Sequence, residues 1–346
     1  MPRAVILSPD PDRPSGGVER FAQLLAGALR DGGWETHIAG YGAEPSPLID
    51  RFGLGTAVRS RAAAQAAHEL EPDLVVGNNW LGFGVPRKTP HIQVYHGTIA
   101  GQTKAAPMDL PAQELFRRRT FQAATEAFAG RHATVVGVSN STADELRRHY
   151  RMKTDAVIGN GVDTAVYTRR DVAAARERFG ITGPSVLFVG VAMARKGSDV
   201  LAEGAEAGGY ELLHAGDREL AGSRALGVLS PDELAQALSA VDAMLFPTRW
   251  EACSYAILEA MACGTPVLTT RVGWMEELAA RVPAYEPLII EPTVASIAAG
   301  LHRLRAGDHA EAVAQAADIV RTEHDLGTFA ARWRELCLRV AGTPDD

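Results

Sequence analysis

PTRWEACSYAILEAMACGTPVLTTRVGWMEE, from Pro247 to Glu277, carries a loop, a helix, a turn and a strand, and apolar VDAMLF (Val241 to Phe246) runs straight into it. VDAMLF reads as a buried parallel strand closed off by Pro247. The helix begins near Ser254, Gly264 stops it, and PVLTT forms the next strand. Glu251 falls just ahead of the first helical turn, and Glu259, eight residues on, lies one to two turns inside. A helix start beyond the carboxyl end of a parallel strand attracts anions, because free N–H groups and the helix dipole point there. Two carboxylates flanking such a terminus suit a ligand with hydroxyls as well as phosphate, the chemistry of a nucleotide sugar.

The alternation extends in both directions. Upstream, AVIL (Ala4 to Leu7), ETHIAG, DLVVG, HIQVYHG and TVVGVS read as strands. Helices fall between them over Val18 to Arg30, Ser60 to Leu70, Pro111 to Ala129 and STADELRRHY, the last capped by Ser141 or Thr142. DAVIGNGVDTAVYT, with the turn pair Asn160-Gly161, reads as the hinge. Downstream, SVLFVG, YELLHAG and EPLII read as strands, and SPDELAQALSAV as a helix with Ser230 and Glu233 at capping-box spacing. The chain of 346 residues is expected to form domains over 1–163 and 164–325, followed by a final helix within 326–346.

A net charge of −7 argues against a nucleic-acid partner. Cys253, Cys263 and Cys337 show no metal-ligand spacing, and an odd, sparse set fits a reducing cytoplasm. No signal peptide and no membrane-length apolar run is visible, so a cytoplasmic location is expected. SGGVER opens a helix after the first strand, and its glycine amides suit a phosphate. No G-x-G-x-x-G, Walker or Asp-x-Asp motif occurs; neither a cofactor nor a divalent metal is expected.

EACSYAILEAMACGTPVL resembles the E-x7-E signature of the family 4 retaining glycosyltransferases. The resemblance implies an α/β protein of GT-B fold: two Rossmann-like parallel-sheet domains facing a cleft, with the C-terminal helix crossing back to the first domain. That helix would bury Phe329, Trp333, Leu336 and either Leu338 or Val340. It also implies roles for particular residues. Gly16 and Gly17 match the loop that touches the donor phosphate. His96 falls where the family has a histidine near the donor sugar and leaving phosphate. Lys196 and Gly197 match a cationic motif that neutralises the diphosphate, but Val191 stands where the family has arginine. Arg195 or Arg249 could supply that missing cation. Gly227 and Val228 would lie against the nucleobase. Cys253, Ser254 and Tyr255 would offer backbone amides to phosphate or sugar. Ala252 and Ser254 occupy positions that are glycine in the family. Glu251 would accept from a hydroxyl of the transferred sugar, and Glu259 from the ribose.

Transfer of a sugar from a nucleoside diphosphate, uridine before guanosine, to an acceptor hydroxyl with retention is what the resemblance implies. Gly97 to Phe128 and the Asn78-Asn79-Trp80 loop are expected to shape the acceptor pocket. A small natural product is the favoured acceptor. The alternatives are a nucleotide-sugar-binding protein without transfer, a nicotinamide-dependent oxidoreductase disfavoured by the missing fingerprint, and a lipid-linked acceptor met at the membrane through Phe116, Arg117–Arg119 and Phe121. Membrane contact is not the expected mode.

Overall fold

The computed structural model describes residues 1–11, 16–42, 44–105 and 110–342. They divide into two compact α/β units: residues 1–105, 110–160 and 327–342 in one, and residues 161–326 in the other. The first unit holds strands β1 (Arg3–Leu7), β2 (Glu35–Ala39), β3 (Leu74–Asn78), β4 (His91–Tyr95), β5 (Thr134–Gly137) and β6 (Ala156–Val157). They pair in parallel in the order β2-β1-β3-β4-β5-β6. The second holds β7 (Ser185–Val189), β8 (Glu211–Ala215), β9 (Arg224–Gly227), β10 (Ala243–Phe246) and β11 (Val267–Thr269), parallel in the order β11-β10-β7-β8-β9. Central strands such as β1 and β10 are buried along nearly their whole length, as helices on both faces require.

Each sheet therefore reverses its strand order once, between β1 and β3 in the first unit and between β7 and β10 in the second. Connections leave opposite faces there, and the carboxyl ends of the strands on either side open a crevice.

The last helix, Leu326–Ala341, buries Phe329, Trp333, Leu336 and Cys337 in the first unit. Phe21, from the helix Gly17–Asp31, meets the rings of Phe329 and Trp333 edge-on, with centroids 5.9 and 5.3 Å away. Cys337, rather than Leu338 or Val340, completes the buried face, since Leu336 and Cys337 lie three and four residues beyond Trp333. Two other readings change. EPLII is not a strand: Pro283–Leu288 form a 3₁₀ helix, and only Ile289 bridges to Thr269. Pro283 and Pro287 lack the N–H groups that a ladder needs. Ser139 caps the helix that begins at Asn140, its side chain accepting from Thr142 N at 3.1 Å. Among the described residues no helix is long and apolar enough to cross a membrane.

Candidate active site

In the second unit the two loops beside the strand reversal carry the charged residues. After β7 the chain turns through Gly190 (φ +118°), where a Cβ would stand 2.8 Å from Lys196 Nζ. It then forms a single 3₁₀ turn, Ala194–Lys196. Gly197 (φ +76°) leaves no room either: a Cβ would meet the Pro247 carbonyl at 2.3 Å. Backbone sign and close approach both demand glycine there, and so seat the Lys196 turn on the loop after β10. Arg249 N donates to the Arg195 carbonyl at 2.8 Å, and Thr248 Oγ1 stands 3.2 Å from that oxygen and 3.0 Å from the Trp250 carbonyl.

Lys196 Nζ lies 5.5 Å from the Phe246 ring centroid. Burial lowers its pKa, the Glu251 carboxylate opposes the shift, and the Arg195 charge reinforces it. The Arg195 guanidinium stands 3.6 Å from Glu251, donates to the Trp250 carbonyl at 2.8 Å and lies 5.6 Å from the Trp250 ring centroid. Arg249 is committed elsewhere: it grips Asp199 through two bonds of 2.6 and 2.8 Å and also donates to the Ala194 carbonyl. The structure thus puts Arg195, Lys196 and Glu251 in one cluster and holds Arg249 on the helix Ser198–Ala207.

Glu251 precedes the helix Tyr255–Ala262, whose N-cap, Ser254, makes no side-chain capping bond. Glu259 lies within that helix and is buried. Ala252 and Cys253 point into the core. Behind them Gly273 (φ +61°) would bring a Cβ within 2.3 Å of the Glu251 carbonyl, and Trp274 N donates to the Ala252 carbonyl at 2.7 Å. The start of the helix Trp274–Arg281 is therefore a prop for the Glu251 loop. Gly227 ends the edge strand β9 with φ +73°, and its carbonyl accepts from Gly216 N at 3.0 Å; the Val228 side chain is exposed.

In the first unit the donor-site residues singled out by sequence are uncharged, apart from their neighbours. Gly16 caps the helix Gly17–Asp31 in an extended conformation, and Arg20 N donates to its carbonyl at 3.0 Å. A Cβ on Gly16 would lie 2.4 Å from Glu19 Oε2. Ser15 lies outside the described residues. His96 follows β4, packs edge-on to Phe21 at 4.8 Å and places Nε2 3.0 Å from Asn78 Oδ1. Its own N–H donates to Asn79 Oδ1 at 2.8 Å. Desolvation pulls the imidazole pKa down to about 3, so the ring is neutral at neutral pH.

Asn78 and Asn79 both bond His96, and Trp80 packs beside Tyr41 over an apolar cluster. Sequence reading also missed two carboxylates that hold the segment after His96. Glu145 Oε2 accepts from Thr98 N and Oγ1 at 2.9 and 2.8 Å. The buried Glu126 accepts from Ile99 N at 2.7 Å and from the Tyr150 hydroxyl at 2.5 Å. Burial pushes the Glu126 pKa up to about 7. Both acids sit in helical runs whose spacing does not set them apart from solvated residues. Among the described residues no group of three or more His, Cys, Asp or Glu side chains comes together to hold a metal ion.

Two family models match the chain: "Glycosyltransferase Family 4" over residues 15–166 and "Glycosyl transferases group 1" over residues 183–306. A D-inositol 3-phosphate glycosyltransferase from Acidothermus cellulolyticus is 29% identical over 66% of this chain. The match spans 59% of that relative's own length. A sucrose-phosphate synthase from Thermosynechococcus elongatus superposes with a TM-score of 0.82 at 20% identity, covering 98% of this chain and 99% of its own. Anabaena HepE, solved in complex with UDP-glucose, gives 0.71 at 16% identity over 96% of this chain and 98% of its own. At those identities the likeness is one of fold, that of GT-B proteins.

Proposed function

This chain belongs to glycosyltransferase family 4, and we propose that it moves a sugar from a nucleoside diphosphate sugar to an acceptor hydroxyl with retention of anomeric configuration. One observation carries the reading: Arg195, Lys196 and the start of the helix Tyr255–Ala262 stand beside Glu251 at the strand reversal of the second unit. A leaving diphosphate gathers negative charge as the glycosidic C–O bond breaks. Fixed cations and a helix start stabilise that charge without any proton transfer. The acceptor oxygen forms the new bond to the anomeric carbon, and its proton passes to a phosphate oxygen of the departing nucleoside diphosphate.

Arg195 takes the part that an arginine at position 191 would play. It shares the Glu251 neighbourhood with Lys196, whereas Arg249 is held by Asp199. With two cations present, transfer proceeds without a divalent metal. Glu251 accepts from a hydroxyl of the sugar, Glu259 from the ribose, and Gly16 and Gly17 offer amides to phosphate. Uridine diphosphate donors come first, since a neighbour of the same fold was captured with UDP-glucose. A small hydroxylated acceptor is favoured, and the relative named for inositol 3-phosphate makes that molecule one to include. A membrane-held acceptor is the second reading, favoured by the exposure of Leu48, Phe52, Phe116 and Phe121 on the first unit.

The test is a panel of UDP- and GDP-sugars in the presence of EDTA, with free small acceptors in one arm and vesicles carrying a lipid-linked acceptor in the other. Release of UDP with an α-linked product from an α-linked donor is expected in the free-acceptor arm. Donor binding without turnover in every arm would leave a nucleotide-sugar-binding protein.

A further inference from the structure

Asn78 is buried at the carboxyl end of β3, at the strand reversal of the first unit, with its side chain wedged between two partners. Its amide nitrogen donates to the Leu7 carbonyl at 2.7 Å. A main-chain carbonyl can only accept, so Nδ2 must face Leu7 and Oδ1 must face the other way. Oδ1 stands 3.0 Å from His96 Nε2. An amide oxygen can only accept, so Nε2 must carry the proton. A neutral imidazole has one protonated nitrogen, and Nδ1 is then a bare lone pair.

We propose that Asn78 is a positioning residue that holds His96 as the Nε2–H tautomer and leaves Nδ1 able only to accept a hydrogen bond. Asn79 reinforces this. In the left-handed conformation (φ +51°), it presents Oδ1 to the His96 N–H, and its own N–H donates to the Val94 carbonyl at 2.7 Å. Both the ring and the main chain of His96 are therefore fixed by adjacent asparagines. The Leu7 carbonyl belongs to β1, so the whole relay hangs on the central strands of the sheet.

The consequence is a rule for the ligand, and it rests on the transfer reading above. Nδ1 can receive an O–H, as from a sugar hydroxyl. It repels a phosphate oxygen, because two lone pairs would face each other. His96 thus engages the sugar part of the donor and leaves the diphosphate to other groups.

The full chain, labelled with ¹⁵N-histidine, gives the tautomer from long-range imidazole ¹H–¹⁵N correlations, with His96 assigned by its loss in His96→Gln. A single Nε2–H form is expected in the unmodified protein; an Nδ1–H form would overturn the proposal whatever any variant does. In Asn78→Ala the tautomer should become mixed, and the donor KM should rise by about tenfold, the effect of one mis-set hydrogen bond. The Kd for the free nucleoside diphosphate should stay within about twofold, because the lost bond touches only sugar. An Asn78→Ala protein with unchanged tautomer and unchanged donor KM would also overturn the assignment. If no donor in the panel is turned over by the unmodified protein, the transfer reading fails while the spectrum still decides the tautomer.

Discussion

Two regions of this molecule occupy equivalent places in equivalent sheets and carry opposite chemistry. In the second unit, the loops after β7 and β10 bring Arg195, Lys196 and Glu251 together, with Asp199 and Arg249 paired alongside. In the first unit, the loops after β1, β3 and β4 bring Gly16, Asn78, Asn79 and His96, with the histidine held neutral. The lesson is that a strand reversal supplies a crevice and nothing more. Charge in one loop set suits an anion, while the fixed dipoles of the other suit hydroxyls at His96 and a phosphate at Gly16.

The sharpest way to break the comparison is to remove the charge from the second unit. Lys196→Met should lower kcat by about 10²–10³-fold with nucleoside diphosphate sugars, the usual cost of losing one preorganised charge contact to a leaving group. A smaller loss, measured at saturating donor, would mean that the ammonium is not where charge develops. Arg195→Ala should follow at about 10–10²-fold in kcat, whereas Arg249→Ala should leave kcat within about threefold and lower Tm by roughly 2 °C, since its partner Asp199 is half exposed. If the two arginine variants exchange these effects, Arg249 is the second cation.

The gentlest test concerns the first unit and pH. Glu126, raised from 4.5 to about 7, keeps its proton on folding, so its contribution is complete below pH 4.5 and is lost as pH rises towards 7. His91 and His96 work the other way. Their pKa values fall from 6.5 to about 4 and about 3, so stability is present above pH 6.5 and is lost as pH falls through that window. The difference in unfolding free energy between the unmodified protein and Glu126→Gln should therefore shrink from pH 4.5 to 7, by on the order of 3 kcal/mol at most. Denaturant titrations at the two pH values read it directly; an unchanged difference would mean that Glu126 is ionised throughout.

Most of the fold could be read from the sequence because apolar runs of strand length alternate with helical periodicity and with glycine or proline stops. EPLII misled because its composition suits a strand, while the missing N–H groups of Pro283 and Pro287 count against it. The charged cluster of the second unit was visible as local wording around Lys196, Glu251 and Glu259. Its geometry was not, because adjacent Arg195 and Lys196 gain their common neighbour only through Gly197 and Pro247. Glu126, and the bonds that Asn78 makes within a loop already singled out, were hidden for a deeper reason. Each acts on a residue far along the chain, Leu7 in one case and Ile99 in the other, and nothing in its own neighbourhood sets it apart.

The helix Leu326–Ala341 has a consequence for how the protein is made. Among the described residues the second unit is one continuous segment, but the first closes its core only when Phe329 and Trp333 reach Phe21. During synthesis residues 161–326 are available to fold as a whole, while the earlier-made segment still waits for its last helix. Of the two units the one translated earlier is thus completed later, and until then the Phe21 face of the helix Gly17–Asp31 stays open to whatever can cover it.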